Sequence, residues 1–258
     1  MVTEKQSITP PEDTKRLLAV AALFDGDFSI DWLVELTEMR ATKILNILEE
    51  GVQQGFLTKK KPGVFSFQAK CKSDFISGEV GNLRRRIVLL LMDELKDDGD
   101  KFKAVAPYLL GLSNDIETCR WLMKAGDSYV SAFQNEEALQ CYGKVLQDLS
   151  SFHENEAERI FIDATLKYSK LSTARHDTNR TLILLQEATE RAKRINDQAS
   201  QALLEMHLAK NEWLGSRYRI ALNHFQRGWS IAKLMNDTKL LRSATAFATF
   251  FLYWQGRF

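Results

Sequence analysis

The side chains that most often carry acid–base and nucleophilic chemistry are dispersed along this sequence. Its histidines are His153, His176, His207 and His224, and no GxSxG nucleophile motif accompanies them. A histidine works as a general base only within hydrogen-bond reach of the group that it deprotonates, and nothing in this spacing pairs a histidine with a nucleophile. We therefore predict no catalytic residues and expect that the chain is not an enzyme.

Sequence motifs for metal and nucleotide binding are missing as well. There is no HExxH and no CxxC, the spacings that bring zinc ligands together. His153, Glu154 and Glu156 form one local group, which we interpret as a solvated helix start at a repeat junction. No GxxxxGKS/T motif supplies the cradle and lysine that hold nucleotide phosphates. We expect neither a metal nor a cofactor, so any ATP site of a parent protein would precede this chain.

The composition excludes several classes of protein. The 258 residues carry 35 basic and 34 acidic side chains, a net charge of +1, and 45% of them are hydrophobic. Such a chain can fold and lacks the basic excess of a dedicated nucleic-acid binder. Its apolar stretches are shorter than the roughly 20 residues that cross a membrane. Three cysteines without close pairs are typical of a reducing compartment, so we expect a cytoplasmic protein without membrane contact.

Proline divides the chain into two parts. All four prolines lie between Pro10 and Pro107, and the rest of the chain contains none. Because proline breaks helix interiors, its absence permits long helices. Apolar side chains recur there at helical spacing, as in Leu122, Ala125 and Tyr129. We predict a mainly α protein, in which an α-helical solenoid follows a smaller N-terminal domain.

The N-terminal part is predicted to contain three helices and a β-hairpin. Ser29 is the expected N-cap of the second helix and Thr42 that of the third, which ends at Gly55. Two short β-type runs flank the turn signal Pro62-Gly63. Three helices followed by a hairpin is the order of a winged helix, which we assign to residues 1–80.

The rest of the chain is predicted to be a helical linker and a set of repeats. The linker covers 81–114, and repeats like the tetratricopeptide repeat (TPR) cover 115–258. Small residues recur where the two helices of each repeat approach closely: Gly126, Ala164, Ala209 and Thr249. Their spacings exceed the usual repeat of about 34 residues, which predicts longer helices. We expect about three and a half repeats, the last truncated by removal from a longer chain or covered by a partner; an unrelated helical bundle is the alternative.

The repeats predict a concave surface lined by their first helices. An aromatic-rich surface with a lysine would accept a peptide, a protein or a small effector. The alternative is that some of these aromatic side chains pack between helices. The residues expected to line this groove are Tyr168, Met206, Lys210, Trp213, Tyr253 and Trp254.

Two stretches resemble a known family. The run TPPEDTKRLLAVAALFDGDFSIDWLVELTEMRATKILNILEEGVQQGFLTKKKPGVFSFQ is similar to the winged helix that follows the nucleotide-binding domain in STAND-class signalling ATPases, among them activators related to the maltose regulator. WLMKAGDSYVSAFQNEEALQCY resembles the first TPR of that family. Phe65-x-Phe67 and the cluster Arg84-Arg85-Arg86 also match the family pattern, but Gln68 stands where a histidine is common. We expect the arginines to be solvated; contact with another domain is the alternative.

The resemblance implies a regulatory fragment of a larger signalling ATPase, with the winged helix as a joint between domains and the repeats as a sensor. The alternative is a transcription regulator whose winged helix binds DNA. Lys59, Lys60 and Lys61 on the hairpin suit phosphate, but the third helix, which would enter the major groove, carries Glu49 and Glu50. Because carboxylates repel phosphate, we favour the joint.

Overall fold

The computed structural model describes residues 11–75, 80–95, 99–172 and 178–254. The chain forms two units, residues 1–112 and 113–258. It is mainly helical, and a small three-stranded sheet lies in the first unit. Among these described residues, every helix is too short or too polar to cross a membrane.

The first unit places one short strand between its first two helices and two strands after the third helix. A single turn of 3₁₀ helix and two longer helices follow. The bounds are α1 Glu12–Ala21, β1 Asp27–Ser29, α2 Ile30–Thr37, α3 Ala41–Gln53, β2 Leu57–Lys61, β3 Val64–Phe67, the 3₁₀ turn Lys72–Phe75, α4 Val80–Glu94 and α5 Gly99–Leu110.

The hairpin forms at the predicted position, and a third strand completes the sheet. β2 and β3 pair antiparallel around Pro62-Gly63, where Gly63 has a φ of 75°. Proline fixes the φ that the first turn position needs, and glycine adopts the positive φ of the second. β1 pairs with β3, with Phe28 opposite Phe65. The sequence did not predict β1, because three residues are too few to show an alternating pattern.

The predicted N-caps of the second and third helices have different outcomes. Ser29 is the N-cap of α2, and its Oγ accepts a hydrogen bond of 3.1 Å from the backbone N–H of Trp32. Thr42 is not a cap: α3 already begins at Ala41, and Arg40 in an extended conformation precedes it without a side-chain cap. The predicted end of α3 is confirmed, since Gly55 follows it with a φ of 82°.

Helices α4 and α5 belong to the first unit. Arg86 of α4 donates a hydrogen bond of 2.9 Å to the carbonyl of Glu35 in the last turn of α2. Tyr108 of α5 accepts one of 3.0 Å from the backbone N–H of Asp25 through its hydroxyl. These contacts fasten both helices to the sheet-bearing domain. Arg85 and Arg86 are exposed, as expected, whereas Arg84 is half-buried beside Gly111. Arg86 also binds a carbonyl that the end of α2 leaves open.

The second unit is a succession of seven helices within its described residues. Consecutive helices pack on each other, and α6 also contacts α8, α8 contacts α10 and α10 contacts α12. This is the arrangement of an α-helical repeat. The bounds are α6 Ile116–Ser131, α7 Asn135–Asp148, α8 Asn155–Ser172, α9 Thr178–Arg194, α10 Gln198–Leu214, α11 Tyr218–Met235 and α12 Thr238–Trp254.

Three of the four small residues that were set in register are buried. Gly126 lies at a helix crossing, because a Cβ placed on it would lie 2.4 Å from the ring of Tyr142 on α7. Ala164 and Ala209 are fully buried. Thr249 is exposed, and its hydroxyl donates to the carbonyl of Thr245 on its own helix. Within the described residues no helix follows α12, so the predicted crossing at Thr249 stays a prediction.

Candidate functional site

Two of the predicted groove residues lie in the interior instead. Tyr168 on α8 is 7% exposed and packs between α7 and α9, with the guanidinium of Arg180 5.6 Å from its ring centre. Met206 on α10 is fully buried in a cluster with Ala232 of α11 and Ala244 of α12. Both side chains fill contacts between helices, so neither is available to a ligand on the surface.

The other predicted groove residues are more accessible. Lys210 is half-buried. Trp213 is also half-buried, and its ring meets that of Tyr218 edge-on, with 4.7 Å between centroids. Tyr253 is 62% exposed. The side chain of Trp254 lies outside the described residues. The aromatic groove expected from the repeat register is thus reduced to a few separate side chains.

The hairpin lysines lie on β2, and the first of them faces an acidic partner. The Nζ of Lys59 is 3.2 Å from Oε1 of Glu49 on α3. Lys43, the basic residue of that helix, pairs with Asp13. Lys60 and Lys61 are exposed, and the register shift between Lys59 and Lys61 makes Lys60 the extra residue of a β-bulge.

One serine and one histidine lie close enough for a nucleophile and its base. Ser169 Oγ on α8 is 2.7 Å from Nδ1 of His207 on α10. Their exposed fractions are 1% and 6%, so a substrate cannot reach either group. Burial lowers the pKa of His207 to about 3, and the charges of Lys170 and Lys210 add to this effect. The pair is a structural hydrogen bond between two helices.

The thiols of the first helix pair are equally shielded. Cys119 and Cys141 are fully buried. Burial raises the pKa of each thiol to about 12, with smaller contributions from nearby carboxylates. Since the thiolate is the reactive form, neither residue is a nucleophile. The described residues also contain no group of three or more side chains arranged to hold a metal ion.

A polar groove that the sequence did not predict lies between α9, α10 and α11. Its volume is about 730 Å³, within the range of about 300–1,000 Å³ that is typical of small-molecule sites. Eight of its nine lining residues have polar or charged side chains, whose aliphatic parts supply much of the lining surface. The lining residues are Thr189 and Lys193 from α9, Gln201 and Glu205 from α10, and Asn223, Gln226, Arg227, Ser230 and Ile231 from α11.

A carboxylate, an imidazole and a guanidinium meet at this groove. Oε2 of Glu205 is 2.7 Å from Nδ1 of His224 and 3.4 Å from Nε of Arg227. Nη2 of Arg227 is 3.0 Å from the same imidazole nitrogen. The Glu205 side chain is only 10% exposed, whereas that of Arg227 is 59% exposed. The buried carboxylate thus pairs with an arginine whose side chain is largely exposed.

The sequence contained only a weak signal for this groove. Thr189 and Lys193 lie four residues apart, as do Gln201 and Glu205, and so share a helix face. Such spacing is also typical of an ordinary solvated face. Only the packing of α9 and α11 on either side of α10 brings the faces together.

The comparisons with known proteins are sparse. No protein-family model matches the chain, and no curated protein sequence matches it. Among solved structures, the chain is similar to a Signal Transduction ATPase with Numerous Domains (STAND) protein with a tetratricopeptide repeat sensor, from Pyrococcus horikoshii. The identity is 15% and the TM-score 0.36, over 91% of this chain and 46% of that one. The chain therefore spans less than half of that protein's length.

Proposed function

We propose that the chain is a non-catalytic regulatory and interaction module. In it, a winged-helix unit forms a joint to other domains and a TPR-like unit recognises a protein, a peptide or a small effector. The order α1–β1–α2–α3–β2–β3, with β1 beside β3, supports the winged helix. The sequence resemblance described above supports a place in a larger STAND-class signalling ATPase, in the cytoplasm.

The close crossing of α6 and α7 supports the TPR-like character of the second unit. Gly126 meets the Tyr142 ring there, and the Tyr142 hydroxyl donates a hydrogen bond of 2.7 Å to Asp127. Lys167 of α8 reaches the same carboxylate at 2.8 Å. The first helix pair is thereby tied to the second, as repeat stacking requires.

The observation that carries the joint is the pairing of charge on the winged-helix surface. A helix that reads the major groove needs basic or neutral side chains towards phosphate. On α3, Lys43 is paired with Asp13, and Glu49 faces Lys59 of the hairpin. DNA would have to displace both partners and approach Glu50, which is also exposed. Binding to another protein does not require a basic surface in this way.

Binding to a labelled random DNA duplex, followed by fluorescence anisotropy at low and moderate salt, tests this proposal. We expect no more binding than an unrelated helical protein shows. Because Lys60 and Lys61 are exposed, DNA binding by the hairpin is the second candidate function. The test variant is Lys60→Glu with Lys61→Glu, and the control variant is Lys15→Glu with Lys70→Glu. Salt-sensitive binding that the test variant loses and the control variant keeps would contradict the joint and show that the winged helix binds DNA.

A further inference from the structure

We propose that the second unit binds a second copy of this chain head to tail. In this arrangement the basic end, formed by α11 and α12 of one copy, contacts the acidic pair α6 and α7 of the next copy. The inference goes beyond the proposed function, because it concerns an interface between copies and not the recognition of an effector. The charges and the exposed apolar side chains of the two ends carry it.

The charge of the second unit changes sign along its series of helices. Residues 113–154, which contain α6 and α7, carry three basic and seven acidic side chains, a net charge of −4. Residues 155–212 carry nine of each. Residues 213–254, which contain α11 and α12, carry six basic and one acidic side chain, a net charge of +5. Because consecutive helices pack on one another, the two charges lie at opposite ends of the series.

Most of the positive charge at the basic end is available to a partner. Asp237 is the one acidic residue there, and its carboxylate accepts a hydrogen bond from the backbone N–H of Leu240 at the start of α12. Four exposed cations of these two helices form no ion pair with a carboxylate of the described residues: Arg219, Lys233, Lys239 and Arg242. Such a surface attracts carboxylates.

The basic end also carries an apolar stripe along α11. Tyr218 and Leu222 are exposed. Phe225 and Trp229 are half-buried, and their rings stack with 5.9 Å between centroids. Steps of three and four residues place these four side chains on one face of the helix. This α11 stripe therefore offers apolar contact next to the cations.

The acidic end exposes an apolar side chain at an unfavourable backbone position. Phe133, in the turn between α6 and α7, is 91% exposed and has a φ of 60°. Val130, three residues earlier, is exposed as well. The turn between α10 and α11 repeats the same two backbone hydrogen bonds and has Ser216 at this position, with a φ of 61°. A bulky side chain is rare at positive φ, so folding alone does not favour phenylalanine here.

The two ends complement each other in charge and in apolar contact. Glu136 and Glu137, in the first turn of α7, lie three and four residues after Phe133. A phenylalanine beside carboxylates at one end thus matches an apolar stripe beside cations at the other. Two basic ends would repel each other, which disfavours a symmetric dimer. A contact between unlike ends leaves one end of each copy free, so the association can continue.

Sedimentation velocity of the full chain over about 1–100 µM tests the interface. We expect association into dimers and larger species, and weaker association at higher salt, which screens surface charges. Phe133→Ser, which introduces the residue of the equivalent turn, and Leu222→Glu should each weaken association by about tenfold or more.

Two exposed apolar residues away from the interface supply the controls. Ile183→Ser lies on α9, in the section without net charge, and Leu234→Glu lies about 120° around α11 from Leu222. Both variants should associate as wild type does. Circular dichroism establishes that each variant is folded, and Phe133→Ser remains informative if Leu222→Glu does not fold.

Mixing the two test variants determines the direction of the contact. Phe133→Ser keeps its basic end and Leu222→Glu keeps its acidic end, so the mixture should form a dimer and no larger species. A wild type that stays monomeric, or association that either variant leaves unchanged, overturns the proposal and leaves an acidic segment of another protein as the occupant of the α11 stripe. Association that mixing does not restore also overturns it. None of these outcomes bears on the joint, which the DNA titration tests.

Discussion

At the scale of single residues, Arg191 on α9 makes the largest set of contacts described in the second unit. Its guanidinium is 1% exposed and donates to the carbonyls of Leu149, Ser150 and Phe152 at the end of α7. It also binds Glu158 at 3.0 Å, and it lies 3.8 Å from the ring centre of Phe161. One side chain thus satisfies carbonyls that the end of α7 leaves open.

Replacement of this arginine should be costly. Arg191→Met removes the donor to the carbonyls of Leu149, Ser150 and Phe152 and one of the two arginines that bind the buried carboxylate of Glu158, and we expect a loss of about 3–5 kcal/mol in the free energy of unfolding. Urea denaturation followed by circular dichroism measures it. Arg194 also binds Glu158 but is 51% exposed, so Arg194→Met is the control, with an expected loss of about 1 kcal/mol or less. Equal losses would contradict the capping role of Arg191.

The buried histidine predicts a pH dependence of stability. Burial lowers the pKa of His207 from 6.5 to about 3, so the folded state keeps it neutral while the unfolded state takes up a proton below pH 6.5. Its contribution is complete above pH 6.5 and declines towards pH 3, by about 1.4 kcal/mol per pH unit.

Unfolding free energies at pH 7 and pH 5 test this pH dependence. His207→Gln, which retains a polar group towards Ser169, should remove about 2 kcal/mol of the difference that wild type shows between the two values. His153→Gln is the control, because the His153 side chain is 69% exposed. A wild-type difference that persists in His207→Gln would show that other groups cause it.

At the scale of elements, the spacing of α6 and α7 depends on one glycine. A Cβ on Gly126 would lie 2.4 Å from the Tyr142 ring, which Asp127 holds by a hydrogen bond. We expect Gly126→Ala to cost about 1–3 kcal/mol, although alanine favours the helix. Gly143→Ala on the partner helix is the control. Its Cβ would lie no closer than 3.7 Å to its neighbours, so it should stabilise by up to about 1 kcal/mol. Thermal unfolding compares the two.

The helices were the elements that the sequence predicted best. Ser29, Gly55 and the Pro62-Gly63 turn mark the ends of helices and strands by local chemistry, which can be recognised in a sequence. The groove was predicted less well, because a first helix of a repeat buries two faces, one against its partner and one against the next pair. Tyr168 fits either face by size and polarity. The packing of α7 and α9 decides which face Tyr168 lies on, and no local sequence pattern reveals that packing.

At the scale of the whole molecule, the division at Leu112 and Ser113 predicts two folding units. The second unit contains its own core, as in the cluster around Met206, and its own cap at Asp115, which accepts a hydrogen bond from Thr118. We expect a polypeptide of residues 113–258 to be helical and to unfold cooperatively in urea. A polypeptide of 135–258 lacks α6 and uncovers Tyr142, so it should be less stable. Equal stability of the two would contradict a core shared by α6 and α7.

The contacts of Arg191 also limit how this protein can be rearranged. The residue lies in the second helix pair, yet the carbonyls that it binds end the first pair. The repeats are therefore not interchangeable parts. A pair deleted, duplicated or exchanged at the junction of α7 and α8 would separate the guanidinium from these carbonyls, although not from Glu158 on α8, so an engineered array has to keep α6 to α9 as one indivisible block.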